Sequence, residues 1–194
     1  PYGIQRRFQN EYSTLADAYK KNELKTDTGL GIYSLSSIPV DKAEPSEALK
    51  ATTVWSTGIK PDKILISSRQ LDAFRKGREI EQKTDVRAAR GAYFVNAALG
   101  LKENESKEWY IVADIDKDTA QVISLNQKLK NNNELVSQID EDIARGTEAL
   151  VEYVASADGL QKTSDMLSTA RHFSNTLFNI MRGGVFDNNY NVHK

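Results

Sequence analysis

Apolar residues recur at helical spacing at Phe8, Tyr12, Leu15 and Tyr19, which predicts an amphipathic helix over residues 5–21 with "KTDTG" as the turn that follows. Beyond that turn the pattern shortens. "GIYSLSSI", "ALKATTVWST" and "KILIS" are brief runs of β-branched and aromatic residues parted by "PVDKAEPSE" and "GIKPD", and they predict a series of strands. "YFVNAALGL" places Tyr93, Val95, Ala97, Leu99 and Leu101 on one face, and "EWYIVADI" answers with Trp109, Ile111, Ala113 and Ile115. Joined by the polar "KENESK", the two read as an antiparallel hairpin. One short helix interrupts the strands: Ser68 stands as N-cap for "RQLDAFRK", and Gly77 sits where a C-terminal stop belongs.

After Ile115 the period changes. Asp118 and Gln121 have the spacing of a capping box for a helix that reaches about Lys130. A longer helix from about Asn133 carries the stripe Val136, Ile139, Ile143, Leu150 and Val154 and ends at "SADG"; a third runs from about Thr163 to Arg182. Strands first and helices afterwards, without βαβ alternation, predict an α+β chain in which a β-sandwich-like domain is joined to an all-α one.

Composition narrows the function classes. A chain of 194 residues has room for one large or two small domains. Its 26 Lys and Arg nearly balance 27 Asp and Glu, so no charge field points to nucleic acid, which is not an expected partner. No apolar run approaches the roughly 18 residues of a membrane span and no signal stretch opens the chain, so no membrane segment is expected. With no cysteine and with His172 and His193 as its two histidines, the sequence offers neither a disulfide framework nor a thiolate or histidine-rich metal site. The cytoplasm is the expected location. The chain opens at Pro1 and stops at Lys194 inside a polar loop, and it reads as an interior piece of a longer polypeptide.

Candidate chemistry gathers at the end of the chain. On the third helix Met166, Ala170, Phe173, Leu177, Ile180 and Met181 share a core face, whereas Arg171, Asn175, Asn179 and Arg182 line another with His172 beside them. Arg forks and Asn amides hydrogen-bond in fixed directions and suit a polyhydroxyl ligand or phosphate; the same groups also cap helices and satisfy buried backbone. His172 reads as structural. Past Gly183 and Gly184, the run Asp187, Asn188, Asn189 and Tyr190 supplies acceptors, donors and an aromatic face, the mixture a sugar needs, and equally an ordinary turn. The remaining templates are poor. "TGLG" lacks the P-loop Lys-Ser/Thr and no G-x-S-x-G elbow occurs; Glu44 with Glu47, or Asp140, Glu141 and Asp142, have the carboxylates for glycosidase chemistry, but the last three read as solvated on the polar side of a helix. Trp55 and Trp109 are placed in the core.

The order of "SSRQLDAFRKGR", "RGAYFVNAALGLKENESKEWYIVADI", a helical linker and "ARHFSNTLFNIMRGG" resembles the inverting carbohydrate phosphorylases of the cellobiose phosphorylase type, including their cyclic β-glucan synthase relatives and related β-glucan phosphorylases. The resemblance covers about residues 60–190. It implies a β-super-sandwich portion over residues 1–117, with Phe74–Arg78 as a characteristic turn and residues 92–115 as a late hairpin. Linker helices over 118–160 would follow, and then the start of an (α/α)6 barrel over 161–194. It further implies inverting phosphorolysis of β-glucosidic linkages, in which an Asp protonates the glycosidic oxygen while inorganic phosphate attacks the anomeric carbon from the opposite face, giving an α-sugar 1-phosphate. Arg171, Asn175, Arg182, Asp187, Asn188, Asn189 and Tyr190 would contribute to substrate binding, with no catalytic residue in this chain because the general acid lies beyond Lys194. No cofactor or metal is implied, only inorganic phosphate as co-substrate. The implied partners are a β-linked oligosaccharide or glucan, the remainder of the same polypeptide, and a second copy in a homodimer. Two other readings stand beside this one: a non-catalytic carbohydrate-binding or interaction module presenting Trp55 or Trp109, and an inverting glycoside hydrolase on the same layout.

Overall fold

Strand structure begins immediately after the first helical turn. In the computed structural model, which describes residues 15–36, 50–131, 134–158 and 160–183, helix α1 (Leu15–Ala18) gives way at once to β1 (Lys20–Lys25). The helix expected to continue to residue 21 therefore ends at Ala18, and its expected first part, residues 5–14, lies outside the described residues. The reason is a local period of two that the helical composition of "KKNELK" conceals: Asn22 and Leu24 are buried while Lys21 and Glu23 are only half-buried. β1 pairs antiparallel with β2 (Leu30–Leu35) across the turn at residues 26–29, as "KTDTG" predicts.

Five strands form one antiparallel sheet in the order β5-β1-β2-β3-β7, with β3 at Ala51–Thr57, β5 at Asp85–Arg87 and β7 at Tyr110–Lys117. A second sheet, among the described residues, pairs β4 (Lys63–Ser67) with β6 (Gly91–Asn96). The expected hairpin of residues 92–115 is thus corrected: β6 pairs with β4, β7 pairs with β3, and the two do not pair with each other. β6 stops at Asn96, so thirteen residues separate the strands, far more than a tight turn, and Leu99 and Leu101 are exposed in the link. Leu24, Ile64, Ile66, Val86 and Ala89 form the core between the sheets, with Tyr33 and Tyr93 packed against it.

Between β4 and β5, a 3-10 turn (Ser68–Gln70) leads into helix α2 (Leu71–Arg75). Ser67 occupies the N-cap place expected for Ser68 and makes no side-chain cap bond. The predicted stop is present. Gly77 adopts φ 66°, its N–H bonds the Phe74 carbonyl at 2.9 Å, and the Arg78 N–H reaches back to Ala73 at 2.9 Å, a Schellman end that a side chain at Gly77 would strain.

Helix α3 (Thr119–Asn131) opens with the expected capping box: the Gln121 N–H donates to Asp118 Oδ1 at 2.9 Å, and the Asp118 N–H donates to Gln121 Oε1 at 3.0 Å. Leaving β7 at Lys117, it returns to the β1–β2 turn, where the Thr28 hydroxyl donates to Asn126 Oδ1 (2.7 Å) and Lys130 meets Asp27 at 2.5 Å. The Lys130 bond holds the Asp27 carboxyl below its usual range. Leu30, Ile32, Thr53 and Trp55 are buried on one face of β2 and β3, and the half-buried helix stripe Val122, Leu125, Asn126 and Leu129 has the spacing to cover such a face.

The chain divides into two compact units, Pro1–Leu135 and Val136–Lys194. The second holds helices α4 (Leu135–Asp158) and α5 (Met166–Gly183). α5 begins at Met166 rather than Thr163, because Asp165 accepts from the Leu167 and Ser168 N–H groups and from the Ser168 hydroxyl, contacts that lower its carboxyl pKa. Val154 and Thr176 are buried, but the expected core stripes are only partly inward. Val136, Ile143 and Leu150 on α4 are exposed, as are Ala170 and, at 84% and 78%, Met166 and Met181 on α5.

Candidate functional site

The two sheets are joined by a reciprocal device. "GIY" on β2 and "GAY" on β6 each place a glycine and a tyrosine two residues apart, hence on one face of a strand. A Cβ on Gly91 would lie 2.3 Å from Tyr33 Cδ1, and one on Gly31 would lie 3.0 Å from Tyr93 Cδ2. Each ring thus occupies space left free on the opposite sheet. Each hydroxyl then crosses the seam: Tyr33 donates to the Ala92 carbonyl (3.0 Å) and Tyr93 to the Gly29 carbonyl (2.7 Å). With the Tyr93 proton so engaged, the Ser56 hydroxyl at 3.3 Å serves as donor to the Tyr93 oxygen. Burial pushes the Tyr33 phenol far above its ordinary pKa, reinforced by Tyr93; burial also raises Tyr93, opposed by the Ser56 hydrogen bond.

β4 and β6 cover only part of the inner face of the large sheet. Register puts Asn22, Tyr33 and Thr52 side by side on that face, and continues it through Val54 to Ala113 and through Ser56 to Ile111. Where the cover ends, a cleft of about 530 Å³ opens, with Tyr33, Thr52 and Val54 on one wall and Gly91, Ala92 and Tyr93 on the other. Lys20, Lys50 and Asp116 also line it. Lys20 is held by the buried Asp17 at 2.5 Å, and Asp17 also meets Arg90 at 3.5 Å. Lys50 donates to the Asp116 carbonyl (3.3 Å) and stands 3.8 Å from its carboxylate. Asp116 itself lies where two β7 residues, Ile115 and Asp116, stand opposite the single β3 residue Thr52, a bulge, and it takes the left-handed φ of 59°. Asp tolerates that conformation better than most residues, and bulges of this kind re-aim side chains.

Of the residues assigned to substrate from the sequence, those that are described, Arg171, Asn175 and Arg182, do not line this cleft. Arg171, Asn175 and Arg182 are exposed on α5; Arg182 lies over the Phe178 ring at 5.6 Å, and Asn179 donates to the Asn175 carbonyl at 3.0 Å. His172 is half-buried on the inward side of the helix with Phe173, Thr176 and Leu177. Asp187, Asn188, Asn189 and Tyr190, like Glu44 and Glu47, lie outside the described residues. Asp140, Glu141 and Asp142 are exposed, with Asp142 paired to Arg145. Trp55 is buried at 7%, as expected, whereas Trp109, placed in the core from its alternation, is 45% exposed. The cleft residues were missed because its two walls meet only in the tertiary fold. The repeated G-x-Y was the one signal in the sequence that could have found it.

Among the described residues no cluster of His, Cys, Asp and Glu could hold a metal ion, and no helix is long and apolar enough to cross a membrane. No protein-family model matches the chain, and no curated protein matches it.

Proposed function

We propose that the chain is part of a carbohydrate-active enzyme that carries out inverting phosphorolysis of β-glucosidic linkages to an α-sugar 1-phosphate. In this reading the first unit belongs to a β-super-sandwich, α4 belongs to the linker and α5 opens an (α/α)6 barrel. The observation that carries the reading is the outward apolar surface of a helical unit that follows a strand-built one. Ile143, Leu150, Val151 and Tyr153 on α4, and Met166, Leu167, Phe178 and Met181 on α5, are all exposed, as helices awaiting barrel neighbours would be. The order of sequence motifs supports the same assignment. Arg171, Asn175 and Arg182 are exposed on α5 and available to the rim of such a barrel, with Asp187, Asn188, Asn189 and Tyr190 following in the chain.

The test is to incubate the intact polypeptide with β-linked oligosaccharides with and without inorganic phosphate. Phosphate-dependent release of α-sugar 1-phosphate is the expected result. Release of free sugar regardless of phosphate would make the protein a hydrolase, and binding without turnover would make it a carbohydrate-binding module, the reading that the cleft between the sheets favours.

A further inference from the structure

We infer that the cleft between the sheets is a second, non-catalytic saccharide site that holds a neutral β-linked gluco-oligosaccharide; the choice of sugar rests on the function proposed above, and the site itself rests on the geometry. A volume of about 530 Å³ is that of a small-molecule site, for which roughly 300–1,000 Å³ is usual. The tyrosine hydroxyls are committed to carbonyls across the seam, so the rings of Tyr33 and Tyr93 present apolar surface, on which the C–H face of a sugar packs. At the rim, the Lys50 ammonium donates and the Asp116 carboxylate accepts, 3.8 Å apart. Adjacent sugar hydroxyls need such a pair, since each both donates and accepts. Each rim lysine has a carboxylate beside it, Lys20 that of Asp17, which Arg90 shares, and Lys50 that of Asp116, so neither stands as a bare cation awaiting an anion. The bulge at Asp116 supplies a second, independent observation. An aspartate in the left-handed conformation lines the cleft at a break in the sheet ladder, and strained backbone concentrates at binding sites.

The probes are β-1,2-, β-1,3- and β-1,4-linked glucotriose, each titrated into the chain while the ring resonances of Tyr33 and Tyr93 are followed by NMR. At least one should shift both tyrosines saturably with a Kd of about 1 mM or tighter. Asp116→Asn keeps a residue that accepts the left-handed backbone. Together with Lys50→Met and Thr52→Val, it should weaken binding at least about tenfold, or about 1.4 kcal/mol, with the melting temperature unchanged. Absence of a saturable shift with all three sugars overturns the proposal, as does affinity unaltered in all three variants. Inorganic phosphate alone should leave the resonances in place, and saturable phosphate binding there would overturn the assignment to a neutral ligand. Sugar 1-phosphate release by the intact polypeptide without any tyrosine shift removes this site and leaves the enzymatic reading; a rim-dependent shift without release does the opposite.

Discussion

Gly91 has no room for a methyl group, because the Tyr33 ring already occupies that place. Gly91→Ala should therefore destabilise the first unit by about 1–3 kcal/mol, the usual cost of overpacking, in urea denaturation. Combined with Tyr33→Ala, its effect should fall short of additive, since the clash is gone. The two seam tyrosines also set an alkaline limit. A phenol with a raised pKa keeps its proton in the fold at a pH where the unfolded chain has lost it. Stability should thus be insensitive to these groups below about pH 10 and decline as pH rises beyond it. Ultraviolet titration should show two of the eight tyrosines ionising last, together with unfolding; if all eight ionise near pH 10 in the folded protein, the seam is not as buried as described. Arg182 belongs to another class of residue. It is exposed over Phe178, so Arg182→Ala should cost no more than about 1 kcal/mol of stability, and on the proposed function it should weaken substrate use by the intact polypeptide. A sharp fall in melting temperature with normal substrate affinity would make it scaffold. The sequence displayed both glycines and both tyrosines but not their exchange across two sheets, which depends on long-range pairing.

At the scale of elements, local chemistry was legible and pairing was not. Asp118 and Gln121 close the capping box that their spacing predicts, and Asp118→Ala should lower stability by about 0.5–2 kcal/mol with loss of helical signal. An unchanged melt would mean that α3 is held by the sheet alone. β1 escaped notice because Lys, Glu and Leu are good helix formers, and tertiary burial of Asn22 and Leu24 overrides that preference. β5 is three residues long and has one buried side chain, Val86, too little for a periodic signal. The alternation of β7 does mark a strand, yet the face bearing Ile111, Ala113 and Ile115 is exposed. Alternation identifies two faces and does not say which one a partner sheet covers. On an edge strand such a face invites association, so Ile111→Thr with Ile115→Thr should reduce self-association of the chain in sedimentation measurements.

At the scale of the molecule, the change of period near Ile115 marks the end of the strands among the described residues, and the mixed α+β composition follows from it. The compact division comes later, at Leu135, because α3 is tied back to the β1–β2 turn by Thr28, Asn126, Asp27 and Lys130. Those contacts span about a hundred residues of chain, and nothing in the local pattern announces them. Uncovered apolar surface on β7, α4 and α5 is the common feature of both units, and it motivates the enzymatic assignment. Residues 1–194 alone should show no phosphorolysis, since the proposal places the general acid beyond them; turnover by the isolated chain would mean that the catalytic group lies within it. The most direct measurement is phosphate-dependent formation of α-sugar 1-phosphate from β-linked glucan by the intact polypeptide. The account predicts an α-anomer that appears only when inorganic phosphate is present. Free sugar formed at the same rate without phosphate, or no product from any β-linked glucan, would contradict it.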